Sequence, residues 1–167
     1  MEEVIGSPES IRDDILHKDI SMKNFIVFIL LLAVHLSSSA QVFEKFKLKE
    51  SEIPKEYKIT DKTLFKSIQP KLFYDNPDLY KSILGSVKSK EYQSFESAND
   101  EGTVVFFEYE KNVDSTGFLE GLLWGGSKPT REHPEEYLIK DNILIIWSFS
   151  KKSPIKKLLM EKVKLAN

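Results

Sequence analysis

The 167-residue sequence contains no cysteine and few histidines, and Arg12 and Arg131 are its only arginines. The absence of cysteine excludes disulfide bonds, thiolate metal sites and lipid attachment through a cysteine. His133 is the single histidine after residue 40, which excludes the usual zinc-binding sets. The formal net charge of −2 creates no strong electrostatic field, so nucleic acid is not an expected partner. We predict no cofactor and no metal site.

One long apolar run lies near the N-terminus, at Phe25–Leu36, directly after Lys23 and Asn24. A basic residue, an apolar core of roughly 7–15 residues and small residues at 38 and 40 are typical of a secretory signal peptide, here cleaved before Gln41. A membrane anchor is the alternative, but it needs about 20 apolar residues. The remaining chain has neither cysteine nor an N-x-[ST] sequon, which favours a secreted or periplasmic protein of a bacterial envelope.

The chain divides into four segments. Residues 1–21 are strongly acidic, which does not suit the region ahead of a signal peptide, and we interpret them as an over-extended N-terminus. Residues 22–40 form the signal peptide, and 41–59, rich in Lys and Glu, form an extended arm or linker. Residues 60–167 form a single domain. An edge strand over 42–49 is the alternative for the arm.

Capping residues predict short helices in the first half of the domain and one near its middle. Asp61 is expected to cap a helix that Pro70 ends, and Asn76 a second helix with Pro77 at its first position. A third helix is expected to end at Gly125 in the left-handed conformation.

Alternating apolar and polar residues predict four strands, at about 91–97, 103–110, 136–140 and 143–149. For the first of these, a continuation of the preceding helix is the alternative, because its two aromatic residues lie three positions apart. The order of elements predicts an α+β fold, a mainly antiparallel four-stranded sheet with N-terminal helices and a C-terminal helix packed on it.

The last two predicted strands form a hairpin that is apolar on both faces. We interpret the polar break at 140–142 as a bulged turn, which places Tyr137 and Ile139 on the same face as Ile143 and Ile145. A hairpin with two apolar faces is expected near the middle of the sheet.

The loop that joins the third helix to this hairpin, 125–137, is the best candidate for a functional site. Arginine suits bidentate contacts with carboxylate or phosphate, histidine suits proton transfer, and tryptophan suits apolar capture. Loops on rigid scaffolds commonly carry such groups. The alternative is a solvated surface loop with a tryptophan in the core. The candidate binding residues are Trp124, Arg131, Glu132, His133 and Glu135.

A Lys-rich helix is predicted at the C-terminus, capped by Ser153 and opened by Pro154. A basic amphipathic helix can lie on an anionic membrane. The simpler interpretation is a helix that covers the second face of the sheet and exposes its lysines to solvent.

No complete catalytic motif is present, so the expected function is that of a small exported, non-catalytic binding domain. Its expected partner is an unidentified envelope protein or a small ligand. One alternative is a small extracytoplasmic hydrolase that uses His133 with Arg131 and a neighbouring glutamate. The other is a peripheral membrane protein that binds through its Lys-rich C-terminal helix.

Overall fold

The computed structural model describes residues 42–166, and both the predicted signal peptide and the acidic N-terminus lie outside the described residues. Within them, five strands form one antiparallel sheet in the order β1-β2-β3-β5-β4. The strands are β1 (Lys58–Thr60), β2 (Val87–Glu96), β3 (Glu101–Tyr109), β4 (Glu136–Lys140) and β5 (Ile143–Phe149).

Four α-helices that lie wholly within the described residues accompany the sheet, with 3₁₀ turns at Glu50–Glu52 and Pro77–Tyr80, and residues 42–44 are also helical. The third helix ends at Gly125, whose φ of 65° confirms the predicted left-handed cap. The last helix begins at Pro154, as predicted. The helices are α1 (Ile68–Asp75), α2 (Lys81–Leu84), α3 (Thr116–Trp124) and α4 (Pro154–Leu165).

The α+β class is confirmed, whereas the predicted number of strands is wrong. β1 was missed because three residues with a single isoleucine show no alternation; its pairing with β2 creates the strand. Residues 91–97, for which a helix was the alternative, lie almost entirely in β2, which begins earlier, at Val87.

One face of the sheet packs against α1, α2 and α3. Phe73 of α1 and Leu84 of α2 belong to the same buried cluster as the strand residues, and α3 adds two leucines. The ring of Phe73 lies 4.8 Å from that of Phe107, centroid to centroid. The buried strand residues of this cluster are Val105, Phe107, Tyr109, Leu144 and Ile146.

The opposite face is covered by two segments from the ends of the described chain. Phe43 and Phe46 are buried, and both rings stack on Phe106 of β3. The α4 helix lies on the same side, because its Lys156 pairs with Glu136 at one end of β4 and the carbonyl of its C-cap residue accepts from Lys140 at the other. The predicted cover for the second face is therefore present.

The segment predicted as an extended arm, 41–59, contributes core residues instead. Phe43, Phe46 and Leu48 are all buried, and the Leu48 amide and carbonyl bond the side-chain amide of Gln93 (3.0 and 2.7 Å). The arm interpretation relied on the density of Lys and Glu, and these charged residues occupy the solvent side of a segment whose apolar residues face the sheet.

The hairpin has a two-residue turn at Asp141 and Asn142, with Asp141 at a φ of 55°. It contains no bulge, so Ile139 lies directly opposite Leu144. The predicted grouping of Tyr137 and Ile139 with Ile143 and Ile145 is therefore wrong, because direct partners share a face. Of the two strands of this hairpin, β5 lies inside the sheet and β4 forms one edge of it.

Tyr109 supplies a test of this core. Its buried hydroxyl has no hydrogen-bond partner among the described residues, and burial raises the pKa of Tyr109 well above its ordinary value. The folded state therefore retains a proton that the unfolded chain releases near pH 10, so this group makes stability fall as pH rises above about 10.

We expect Tyr109→Phe to leave the free energy of unfolding unchanged or to raise it by up to about 1 kcal/mol, since a buried unpaired hydroxyl is removed. The variant should also lose less stability than the wild type between neutral and alkaline pH. Urea unfolding of both proteins at the two pH values measures this. A clear loss of stability at neutral pH would show that the hydroxyl has a stabilising partner.

Candidate functional site

A row of polar side chains crosses the sheet on the face that packs against α1–α3. The register that pairs Glu136 with Trp147 sets Glu135 opposite Ser148, so Glu135 ends this row beside β4. The other four members of the row carry hydroxyl groups, and each is the direct cross-strand partner of the next, from β1 through β2 and β3 to β5. These are Thr60, Ser94, Thr103 and Ser148. We call the five residues the polar row.

The segment 61–67 lies across the polar row. The Leu64 amide donates to Thr103 Oγ1 (2.7 Å). Two residues later, the Lys66 amide donates to Ser148 Oγ (2.7 Å). The strand hydroxyls thus satisfy backbone donors of a segment that belongs to no strand.

This arrangement corrects the prediction that Asp61 caps a helix ended by Pro70. The helix begins only at Ile68, and Pro70 lies in its first turn, where a missing amide proton is tolerated. Hydroxyl residues at inward positions of otherwise apolar strands, such as Thr103 and Ser148, were the available signal. They indicate that something polar crosses that face.

Glu135 is fully buried, at 0% exposure. Its Oε1 accepts hydrogen bonds from Ser67 Oγ (2.8 Å) and Ser148 Oγ (3.2 Å). Its backbone carbonyl accepts from Trp124 Nε1 (2.8 Å). Glu135 Oε2 is buried and has no partner among the described residues. This glutamate therefore joins α1, β5 and the end of α3.

A pocket of about 770 Å³ opens beside Glu135, where β4 begins and β5 ends. Loop 125–134 forms one wall, with two prolines as its apolar part. The segments after β5 and before α1 form the others. The lining residues are Lys66, Pro129, Thr130, Arg131, Pro134, Glu136, Ser150 and Lys151. We call this the basic pocket.

Cations outnumber anions in the lining of the basic pocket. Arg131 and Lys151 form no ion pair or hydrogen bond with the other residues between 42 and 166 through their side chains. Lys66 Nζ lies 3.5 Å from Glu101 Oε1, a long and partly exposed contact. The one acidic lining residue, Glu136, is already paired with Lys156 of α4. The pocket therefore presents excess positive charge to whatever enters it.

The predicted site residues do not form one constellation, and Arg131 is the one that lines the pocket. Trp124 is partly buried and packs against the core, with its ring 5.7 Å from that of Tyr137. Glu132 is exposed, whereas Glu135 is buried. Sequence reasoning missed Lys66 and Lys151, because nothing local distinguishes them from the other lysines.

His133 lies in a tight turn of the loop. Its amide donates to Thr130 Oγ1 (3.1 Å), and its carbonyl accepts from the Thr130 amide (3.0 Å). Its Nδ1 is buried and unpartnered among the described residues. The chain turns here instead of running as a strand, and His133, unlike Arg131, does not line the pocket.

The lysines of the C-terminal helix are partly engaged within the fold. Lys156 is buried against Glu136, and Lys162 contacts Glu52 (2.5 Å). In the described part of the chain, no helix has the length and apolar character needed to cross a membrane. Residues 42–166 likewise contain no cluster of three or more histidine, aspartate or glutamate side chains suited to a metal ion.

Comparison with known protein families, curated proteins and solved structures found no match to this chain.

Proposed function

We propose that this protein is a non-catalytic binding domain that takes a small anionic ligand into the basic pocket. The observation that carries the proposal is a pair of cationic side chains, Arg131 and Lys151, that line one concave site together with Lys66 and have no ion-pair partner among residues 42–166. A volume of about 770 Å³ lies within the range of small-molecule sites. Export to the cell envelope is part of the same proposal and is supported by the signal peptide that the sequence predicts at 22–40.

The charge of the pocket favours a ligand with two negative charges. Three cations line it, and the single carboxylate among the lining residues, that of Glu136, is neutralised by Lys156. Arginine offers two parallel donors that match the oxygens of a carboxylate or phosphate, and lysine adds a mobile point charge. A phosphate group or a dicarboxylate meets both requirements, whereas a monocarboxylate uses only part of the available charge.

The hydrolase alternative receives less support from this geometry. It requires His133 to act beside Arg131, but His133 is held in a turn and is not a lining residue. The membrane alternative requires a free basic face on α4, but Lys156, Lys157 and Lys162 of that helix each contact a glutamate of the same fold. Neither alternative has a specific observation in its favour.

The pocket is tested by substitution of its unpaired cations. We expect Arg131→Ala to weaken binding of inorganic phosphate about tenfold or more, because a charge-assisted bidentate contact is lost. Arg131→Lys should recover part of the affinity, since charge returns without the fork of donors. Lys151→Ala should weaken binding by a smaller factor. NMR titration of the full chain with phosphate, succinate and acetate at low salt measures these effects.

Lys152→Ala provides the matched control, since Lys152 is an exposed neighbour that does not line the pocket. It should leave phosphate affinity within about twofold of the wild type, because Lys152 does not line the basic pocket and makes no direct contact with an anion held there. The proposal fails if millimolar phosphate and succinate shift no resonance of the pocket, or if Lys152→Ala and Arg131→Ala weaken binding equally.

A further inference from the structure

We propose that Glu135 is a positioning residue of the basic pocket. It holds in place the groups that contact the anion, but it does not contact the anion. This inference rests on the proposed function. It assigns a role to a buried carboxylate that does not contact the proposed ligand. Glu135 stands in the chain between two lining residues, Pro134 and Glu136, yet it is fully buried and is not itself part of the lining.

The first connection runs to Lys66. Ser67, the next residue in the chain, donates its hydroxyl to Glu135 Oε1 (2.8 Å). Ser148 donates to the same oxygen (3.2 Å) and accepts the Lys66 amide (2.7 Å). Glu135 thus accepts from the Ser148 hydroxyl, which holds the Lys66 amide, and from the hydroxyl of Ser67, the residue that follows Lys66.

The second connection runs to the loop that carries Arg131. This loop leaves α3 after Trp124 and returns to the sheet at Pro134. The hydrogen bond from Trp124 Nε1 to the Glu135 carbonyl (2.8 Å) closes the loop at its base. The wall that carries Lys66 and the loop that carries Arg131 therefore both connect to Glu135, the first through its side-chain carboxylate and the second through its backbone carbonyl.

Glu135→Gln and Glu135→Met separate the hydrogen-bonding role from simple packing. Glutamine retains an oxygen that accepts from both serines, whereas methionine keeps the length of the side chain but loses the acceptor. In the full chain we expect methionine to weaken phosphate binding about fivefold to tenfold and to raise the exchange rate of the Lys66 amide by a similar factor. Glutamine should stay within about twofold of the wild type in both measurements.

Thr103→Val supplies a matched control within the same polar row. It removes the hydroxyl that accepts the Leu64 amide, one strand farther from the pocket. A purely structural effect predicts that this variant and Glu135→Met weaken phosphate binding alike. The positioning role predicts that Thr103→Val raises exchange of the Leu64 amide but leaves phosphate affinity within about twofold, since Lys66 remains held by Ser148.

The two readouts distinguish failure of this inference from failure of the proposed function. If the wild-type chain binds phosphate and Glu135→Met binds it equally well, the positioning role is overturned. If the wild type takes up neither phosphate nor succinate, the proposed function fails and the positioning role falls with it. Unchanged protection of the Lys66 amide in Glu135→Met overturns the inference whatever the anion data show.

Discussion

Replacement of Phe43 by alanine is expected to lower the free energy of unfolding by about 3–5 kcal/mol, the usual cost of emptying a buried phenylalanine site. Phe43 is 0% exposed, and its ring lies 5.6 Å from that of Phe106, centroid to centroid. The neighbouring Phe46 stacks on the same ring, so loss of Phe43 leaves a cavity against the centre of the sheet. Urea unfolding monitored by circular dichroism measures the change.

Leu79→Ala is the control for Phe43→Ala, because Leu79 is a large apolar residue that is 73% exposed. It should change the free energy of unfolding by no more than about 0.5 kcal/mol, as is usual for surface positions. If both substitutions cost equally little, then residues 43–48 pack loosely and the original interpretation of an extended arm is correct.

Gly102→Ala is expected to destabilise the fold by about 1–3 kcal/mol through overpacking. Gly102 lies on β3 opposite Phe149 of β5. A Cβ atom at this position would lie 2.6 Å from the Ser148 carbonyl oxygen and would overlap the ring of Phe149. The carbonyl belongs to an internal strand, and the ring is fully buried, so neither can move aside without disturbing its own neighbours.

Gly121→Ala makes the same chemical change at a site with free space. Gly121 lies on α3, and an added Cβ would have no atom within 4 Å. The substitution should stabilise the protein by about 0.5–1 kcal/mol, because alanine loses less backbone entropy than glycine on entering a helix. Thermal unfolding of the two variants beside the wild type measures the contrast, and a stabilising shift in both variants would contradict the close packing of Gly102.

The candidate site was only partly accessible from the sequence. The sequence indicates the loop 125–137 as a candidate site because Arg131 and His133 are rare residue types between two apolar elements. The geometry of the loop could not be predicted, because the turn between Thr130 and His133 depends on hydrogen bonds within the loop. The partners of Arg131 in the pocket, Lys66 and Lys151, are distant in sequence and carry no local signal.

The sequence by itself determined the elements whose signals are local. Gly125 ends a helix, Pro154 begins one, and apolar residues alternate in β3 and β5. These signals act over a few neighbouring residues, so they can be recognised without the fold. Together these elements establish an α+β domain.

Only the tertiary structure decided which segments meet. The short strand β1 forms because β2 lies beside it, Phe43 is buried because Phe106 offers a surface, and Glu135 becomes a junction because the register sets it opposite Ser148. Each of these depends on contacts between residues far apart in the chain, whose free energy comes from burial and pairing in the assembled fold. The basic pocket has the same origin, since its walls come from three separate stretches of the chain.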